Sequence, residues 1–203
     1  MPATPPKFDA TDSVDTAARL VTTTMAELAE DPWAPPKFDA IAALTERFNL
    51  QPHPEGGFYA ETYRASAKVS TPAGERNAST AIYFLITPGN VSRLHRIKSD
   101  EAWHFYLGGP MTVVELVDGT AKCTTLGQDV LAESPQVVQY VVKANTWFGS
   151  FPNDGTPYSL VGCTVAPGFD FADFELGSRA ALLAEFPSEE AKPLIEKLTV
   201  GLP

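Results

Sequence analysis

"HRIKSDEAWHFYLG", residues 95–108, sets His95, Glu101 and His104 around a short turn between two strand-like runs. Side chains alternate between the two faces of a strand. His95 and Ile97 therefore share one face of the first run. Beyond the turn at residues 98–100, Glu101, Trp103 and Phe105 share a face, and Ala102, His104 and Tyr106 take the other. If the two strands are neighbours, His95 and Glu101 line the interior and His104 points away. The stretch then admits three readings: a metal site, a metal-free acid/base pair, or buried histidines in an ordinary barrel.

The flanking sequence supplies the rest of such a barrel. From about residue 51 to 176 the chain reads as short runs of Val, Ile, Thr and aromatic residues, separated by Gly, Pro and Asp clusters. "GFYAETYRA", "STAIYFLIT", "SRLHRI", "AWHFYLG", "MTVVELV", "AKCTTLG", "PQVVQYVV", "TWFGSF" and "YSLVGCTV" all fit strands. Many short strands with regular turns predict an all-β sandwich, jelly roll or barrel. Helical spacing appears only at the flanks. Val14, Ala17, Ala18, Val21, Met25 and Leu28 share one helical face, as do Phe38, Ile41, Leu44 and Phe48 at about 38–48. "SRAALLAEF" and "SEEAKPLIEKL" read as closing helices, the second with Ser188 as N-cap. "PPKFDA" occurs at 5–10 and again at 35–40. A chance duplication explains it. The sharper alternative is that the first copy occupies the groove that docks the second.

Composition narrows the function classes. The chain has 203 residues with 15 Lys+Arg against 25 Asp+Glu, a formal net charge of −10. A nucleic-acid binder needs a basic stripe, and none is visible. An acidic surface disfavours anionic membranes, and no run approaches the 18 apolar residues that span a bilayer. The two cysteines, Cys123 and Cys163, lie far apart with no C-x-x-C between them. The N-terminus lacks the basic and apolar runs of a secretory signal. The reading expects a soluble cytoplasmic protein with reduced thiols, acting on a small molecule, with no nucleic-acid or membrane partner.

The opening stretch resembles the first motif of the cupin superfamily. Gly89, His95, Glu101 and Gly108 hold the motif's places, while Ile97 stands where a second histidine is usual. The second motif, with its Pro, Gly, fourth ligand His and Asn, is similar to "VVKANTWFGSFPN" at 141–153. There Lys143, Asn145 and Phe148 stand for Pro, Gly and His, and Asn153 lies one place off. "LQPHPEGGFYAETYR", "STAIYFLI", "SDEAWHFYLG" and "SLVGCTVAPGFDFADFEL" resemble, in order, a single-barrel cupin family of largely unknown function. That resemblance implies an all-β cupin double-stranded β-helix (jelly roll) with flanking N- and C-terminal helices. It also implies a homodimer and a fold similar to keto-sugar epimerases. The expected layout is an N-terminal extension with one or two helices at 1–41, a jelly-roll domain at 42–187, and a C-terminal helix at 188–203.

Three functional readings follow. In the first, a metal-free isomerase, epimerase or lyase acts beside a carbonyl. His95 is the acid/base, Glu101 orients it, and Tyr59 or Tyr83 serves as acid. Arg64 and Arg93 would hold a carboxylate or phosphate of the substrate. In the second, a divalent transition metal is held by His95, Glu101 and His53 for oxygenase chemistry. Hydrocarbon at Ile97 and Phe148 weakens such a site, so no cofactor is favoured. In the third, a non-catalytic binding pocket is lined by Trp103, Phe105, Trp147 and Phe148. Glu55 is expected at the pocket mouth. Gly56 and Gly57 are expected to make a tight turn rather than a phosphate loop.

Overall fold

The computed structural model describes residues 39–201. The helix expected from Ser13 and the first "PPKFDA" copy lie outside them. Among the described residues, thirteen strands fill the span between α1 (Ala40–Arg47) and the closing helices α2 (Arg179–Glu185) and α3 (Ala191–Leu198).

The strands form two sheets and a hairpin. The first sheet has the order β1 (Gln51–Pro52), β2 (Phe58–Arg64), β5 (Thr80–Ile86), β12 (Ser159–Ala166), β7 (Asp100–Gly108) and β10 (Gln139–Val142). The second runs β13 (Glu175–Leu176), β6 (Ser92–Arg96), β11 (Trp147–Pro152), β8 (Met111–Val117) and β9 (Thr120–Leu126). β3 (Lys68–Thr71) and β4 (Gly74–Asn77) pair only with each other. The non-sequential orders, with every ladder antiparallel, are those of a jelly roll. Nine of these strands follow the expected runs. The β3–β4 hairpin and the two-residue β1 and β13 were not anticipated: β3 and β4 are polar and mostly exposed, so they carry no alternation signal.

Alternation builds three apolar layers. Inward residues from both sheets pack as one core: Phe84 and Ile86 from β5, Trp103 from β7, Val161 and Cys163 from β12, Met111 and Val113 from β8, and Phe148 from β11. Burying an aromatic or aliphatic side chain of this size contributes about 1.5–3 kcal/mol. The outer face of the second sheet, Leu94, Val114, Leu116 and Trp147, is covered by Leu182 and Phe186 at the α2 end and by Ile195 and Leu198 from α3. The outer face of the first sheet, Leu85, Leu160 and Tyr83, is covered by Ile41, Leu44 and Phe48 in and after α1. Ser188 accepts the Ala191 N–H at 3.1 Å through Oγ and caps the turn that enters α3. None of the described helices is long and apolar enough to cross a membrane.

Candidate functional site

One end of the barrel interior is not filled. A cavity of about 110 Å³ opens there, walled by the inward residues of β2, β5, β7 and β12, by His95 on β6, by the loop at 53–57, and by Phe169 and Phe171 after β12. Four groups of ionisable chemistry meet at its wall: His53, Glu55, His95 and Glu101.

The 53–57 loop is shaped by its glycines. Gly56 and Gly57 have φ of 111° and 69°. A Cβ on Gly56 would collide with the Val91 carbonyl, and one on Gly57 would lie 2.9 Å from the Leu85 carbonyl. Only glycine fits both the turn and the close approach. The Arg93 backbone N–H donates to the Glu55 carbonyl at 2.9 Å, and its Nε does so at 3.2 Å. Its Nη2 also donates to the Pro54 carbonyl. Arg93 is thus spent on pinning this loop and is absent from the cavity wall. The loop in turn aims Glu55 inward, where Ser92 Oγ donates to its Oε1 at 2.8 Å.

His95 stands 3.2 Å from Glu55, Nε2 to Oε2, and is fully buried between the rings of Phe148 (4.2 Å) and Phe174 (5.2 Å). Its Nδ1 lies 2.7 Å from the Arg93 carbonyl, an acceptor only, so Nδ1 carries the ring proton and the Nε2 lone pair lies at the cavity wall beside Glu55 Oε2. Burial pushes His95 down to about 4, only partly offset by that backbone bond. It is a neutral imidazole at ordinary pH. Burial also raises Glu55, against the lowering influence of His53, the Ser92 hydroxyl and Arg93. The carboxyl group beside His95 is therefore Glu55, not Glu101, while the Arg93 carbonyl fixes the ring through Nδ1–H.

Glu101 has another role in the geometry. It faces inward as expected, but its hydrogen-bond partner is the Cys163 thiol on the neighbouring strand β12. Burial, reinforced by the Glu55 charge, pushes its carboxyl up to about 8. Glu101 is a protonated acid at neutral pH, able to donate. Cys163 is driven well above the usual thiol range by the same burial, so it is no nucleophile.

The remaining expectations divide cleanly. Tyr59 walls the cavity and meets His53 edge-on at 4.5 Å. Arg64 reaches the wall with Glu61 beside it. Tyr83 does not: it points to the outer face, packed at a tilt against Phe48 at 4.6 Å. Trp147 also points outward, under Arg96 at 4.4 Å and against the closing helices. Trp103, Phe105 and Phe148 do face inward, but they pack into the core instead of lining the cavity. His104 points away from the interior and bonds Thr164 at 3.2 Å. Glu61, Cys163, Phe169 and Phe171 were missed as wall residues; Glu61 follows by alternation from Tyr59, whereas Phe169 and Phe171 lie in the segment after β12, which leaves no periodic signal.

The divalent metal implied by the cupin motifs does not fit these side chains. Among the described residues, no three His, Cys, Asp or Glu groups converge to hold an ion. His53 Nδ1 lies 3.6 Å from Glu55, and its lone pair already accepts the Glu55 N–H at 3.3 Å. Ile97 and Phe148 fill two usual ligand places with hydrocarbon.

Comparison with known proteins agrees with the fold. Residues 42–177 match a family described as Cupin superfamily (DUF985). The chain is 30% identical over 149 residues to the uncharacterized protein YML079W of Saccharomyces cerevisiae, spanning 66% of this chain and 73% of that one. Among solved structures it is similar to a hypothetical protein from Leishmania major (TM-score 0.71, 36% identity, 77% of this chain and 97% of that chain). It is similar also to protein SO0799 from Shewanella oneidensis (TM-score 0.69, 38% identity, 77% and 94%).

Proposed function

The chain belongs to the cupin superfamily, in the family described as DUF985, and from that premise we propose that it is a metal-free isomerase, epimerase or lyase acting beside a carbonyl. One observation carries this reading. A neutral imidazole and a protonated carboxyl, His95 and Glu101, wall the same buried cavity. Two groups pushed apart in this way are an acid and a base held ready together.

The steps follow from the geometry. A small carbonyl compound enters with its oxygen toward Glu101, whose O–H donates to it. His95 Nε2 takes the proton from the adjacent carbon, leaving the electron pair in an enol. The new imidazolium lies beside Glu55, whose carboxyl group stabilises it, while the Arg93 carbonyl holds the ring's other N–H. Return of the proton from His95 to the far carbon gives a tautomer, and its return after the enol has turned over in the cavity gives an epimer. Loss of a group from the next carbon gives a lyase reaction. Phe84, Ile82 and Val165 keep water from the enol.

The test is exchange of carbon-bound hydrogen for deuterium in small ketones and aldehydes, followed by NMR. His95→Ala and Glu101→Gln should each lose about 10²–10⁴-fold in rate with the fold intact. The wild-type rate should be bell-shaped in pH, with limbs near 4 and 8. Full activity in His95→Ala ends the assignment. Binding without exchange by any carbonyl compound would favour a non-catalytic pocket. Near-stoichiometric metal, present in wild type and absent in His95→Ala by elemental analysis, would favour the oxygenase reading.

A further inference from the structure

The same cavity carries information on the charge of what it accepts. Glu61 and Arg64 both wall it, although residues three apart in a regular strand face opposite ways. The register of β2 against β5 slips between Glu61 and Tyr63. That bulge turns Arg64 back to the face of Glu61, and bulges commonly re-aim a side chain in this way.

The result is a closed fork. Arg64 Nε donates to Glu61 Oε1 at 2.9 Å and Nη2 to Oε2 at 2.7 Å. Nη1 donates to Asn77 Oδ1 and to the Phe169 carbonyl, both at 3.1 Å. A guanidinium has five N–H groups, so a single one remains. Asp170 adds a further negative charge nearby. The bidentate face that would grip a carboxylate or phosphate is already occupied. Among the described residues no other Arg or Lys walls the cavity, while Glu55, Glu61 and Glu101 do. An incoming anion must compete with a carboxylate tethered three residues away, at high effective concentration.

Resting on the reading of this cavity as the reaction site, we propose that it takes an uncharged carbonyl compound and that Glu61 enforces this by occupying Arg64. Phosphorylated and carboxylated sugars are excluded on this basis. Freeing Arg64 should convert the cavity into an anion acceptor.

The probes are butanone, cyclopentanone and butyramide, set against butyrate and cyclopentanecarboxylate. Binding is read from the ring NMR signals of the three histidines, two of which, His53 and His95, wall the cavity. In wild type the neutral probes should shift those two and the anions should not. Glu61→Gln should bind the anions more tightly by about tenfold or more, the reach of charge-assisted hydrogen bonds. Glu61→Gln/Arg64→Met should lose that gain. Glu61 is partly exposed, so the variant has no buried packing to lose. Anions that bind wild type as well as the ketones, or no gain in Glu61→Gln, would overturn the role of Glu61 and leave the site standing. Probes of neither charge shifting His53 or His95 would overturn the site reading and this inference together.

Discussion

Glu115 and Glu101 are both buried glutamates facing the same barrel interior, and the molecule treats them in opposite ways. Across the second sheet, His95, Phe148, Glu115 and Lys122 lie in one register row on β6, β11, β8 and β9. Phe148 divides it. On one side, Glu115 accepts from the Tyr140 hydroxyl, and Lys122 Nζ donates to that hydroxyl at 2.6 Å while lying 3.5 Å from the carboxylate. Every charge there faces a partner. On the other side, Glu101 meets a thiol alone among the described residues, and it fronts a cavity. A buried acid closed by partners serves packing. A buried acid left facing space, with its carboxyl pushed up to about 8, is free to give its proton to something that enters.

The ring that separates the two regions is the first place to break this comparison. Phe148 is fully buried and touches the rings of both His95 and Trp103. Phe148→Ala should cost about 3–5 kcal/mol in denaturant unfolding, because the surrounding sheets cannot collapse into the space. A cost under about 1 kcal/mol would mean that the interior repacks freely and that no ring divides it.

The comparison sharpens with pH. The folded protein holds the Glu101 proton more tightly than the unfolded chain, about 8 against 4.5. The corresponding stability is complete below 4.5 and is lost as pH rises through about 8, at up to ~1.4 kcal/mol per pH unit. Glu101→Gln keeps the shape and removes the titration. Relative to wild type it should gain stability steadily across that window, read as the difference in urea midpoints. His95 acts with the opposite sign, its contribution being present above 6.5 and lost as pH falls through about 4, but it is common to both proteins and cancels in the difference. A flat difference would show that Glu101 is ionised in the fold and is no acid.

Much of this was legible before any coordinates. Period-two alternation placed Glu101 and Trp103 inward and His104 outward, because both strands are regular where they carry those residues. Alternation does not reach Glu55, which was expected at the pocket mouth; its place beside His95 depends on two glycines and on Arg93. Arg64 does reach the cavity wall, against the period of its strand, because a bulge inverts the phase of β2 beyond Glu61. Tyr83 and Trp147 were read by residue type rather than by phase; counted from Phe84 and Phe148, both belong on the outside. Arginine and tyrosine beside a motif suggest substrate contacts, but only tertiary structure shows which hydrogen bonds are already spent.

The smallest effect is the most discriminating about Glu115. Lys122 is more than half exposed, so its pairing with Glu115 is screened by water and salt. If Tyr140 is what closes this acid, Lys122→Met should change stability by only ~0–1 kcal/mol, with little dependence on salt. The Tyr140 hydroxyl would still donate to the carboxylate, and the methionine stem would still cover the Tyr140 ring that Lys122 now crosses at 5.2 Å. A loss of ~3 kcal/mol or more would show instead that Glu115 was held by the ammonium and is left as an uncompensated buried charge without it. The distinction between a closed acid and an open one would then rest on the cavity alone.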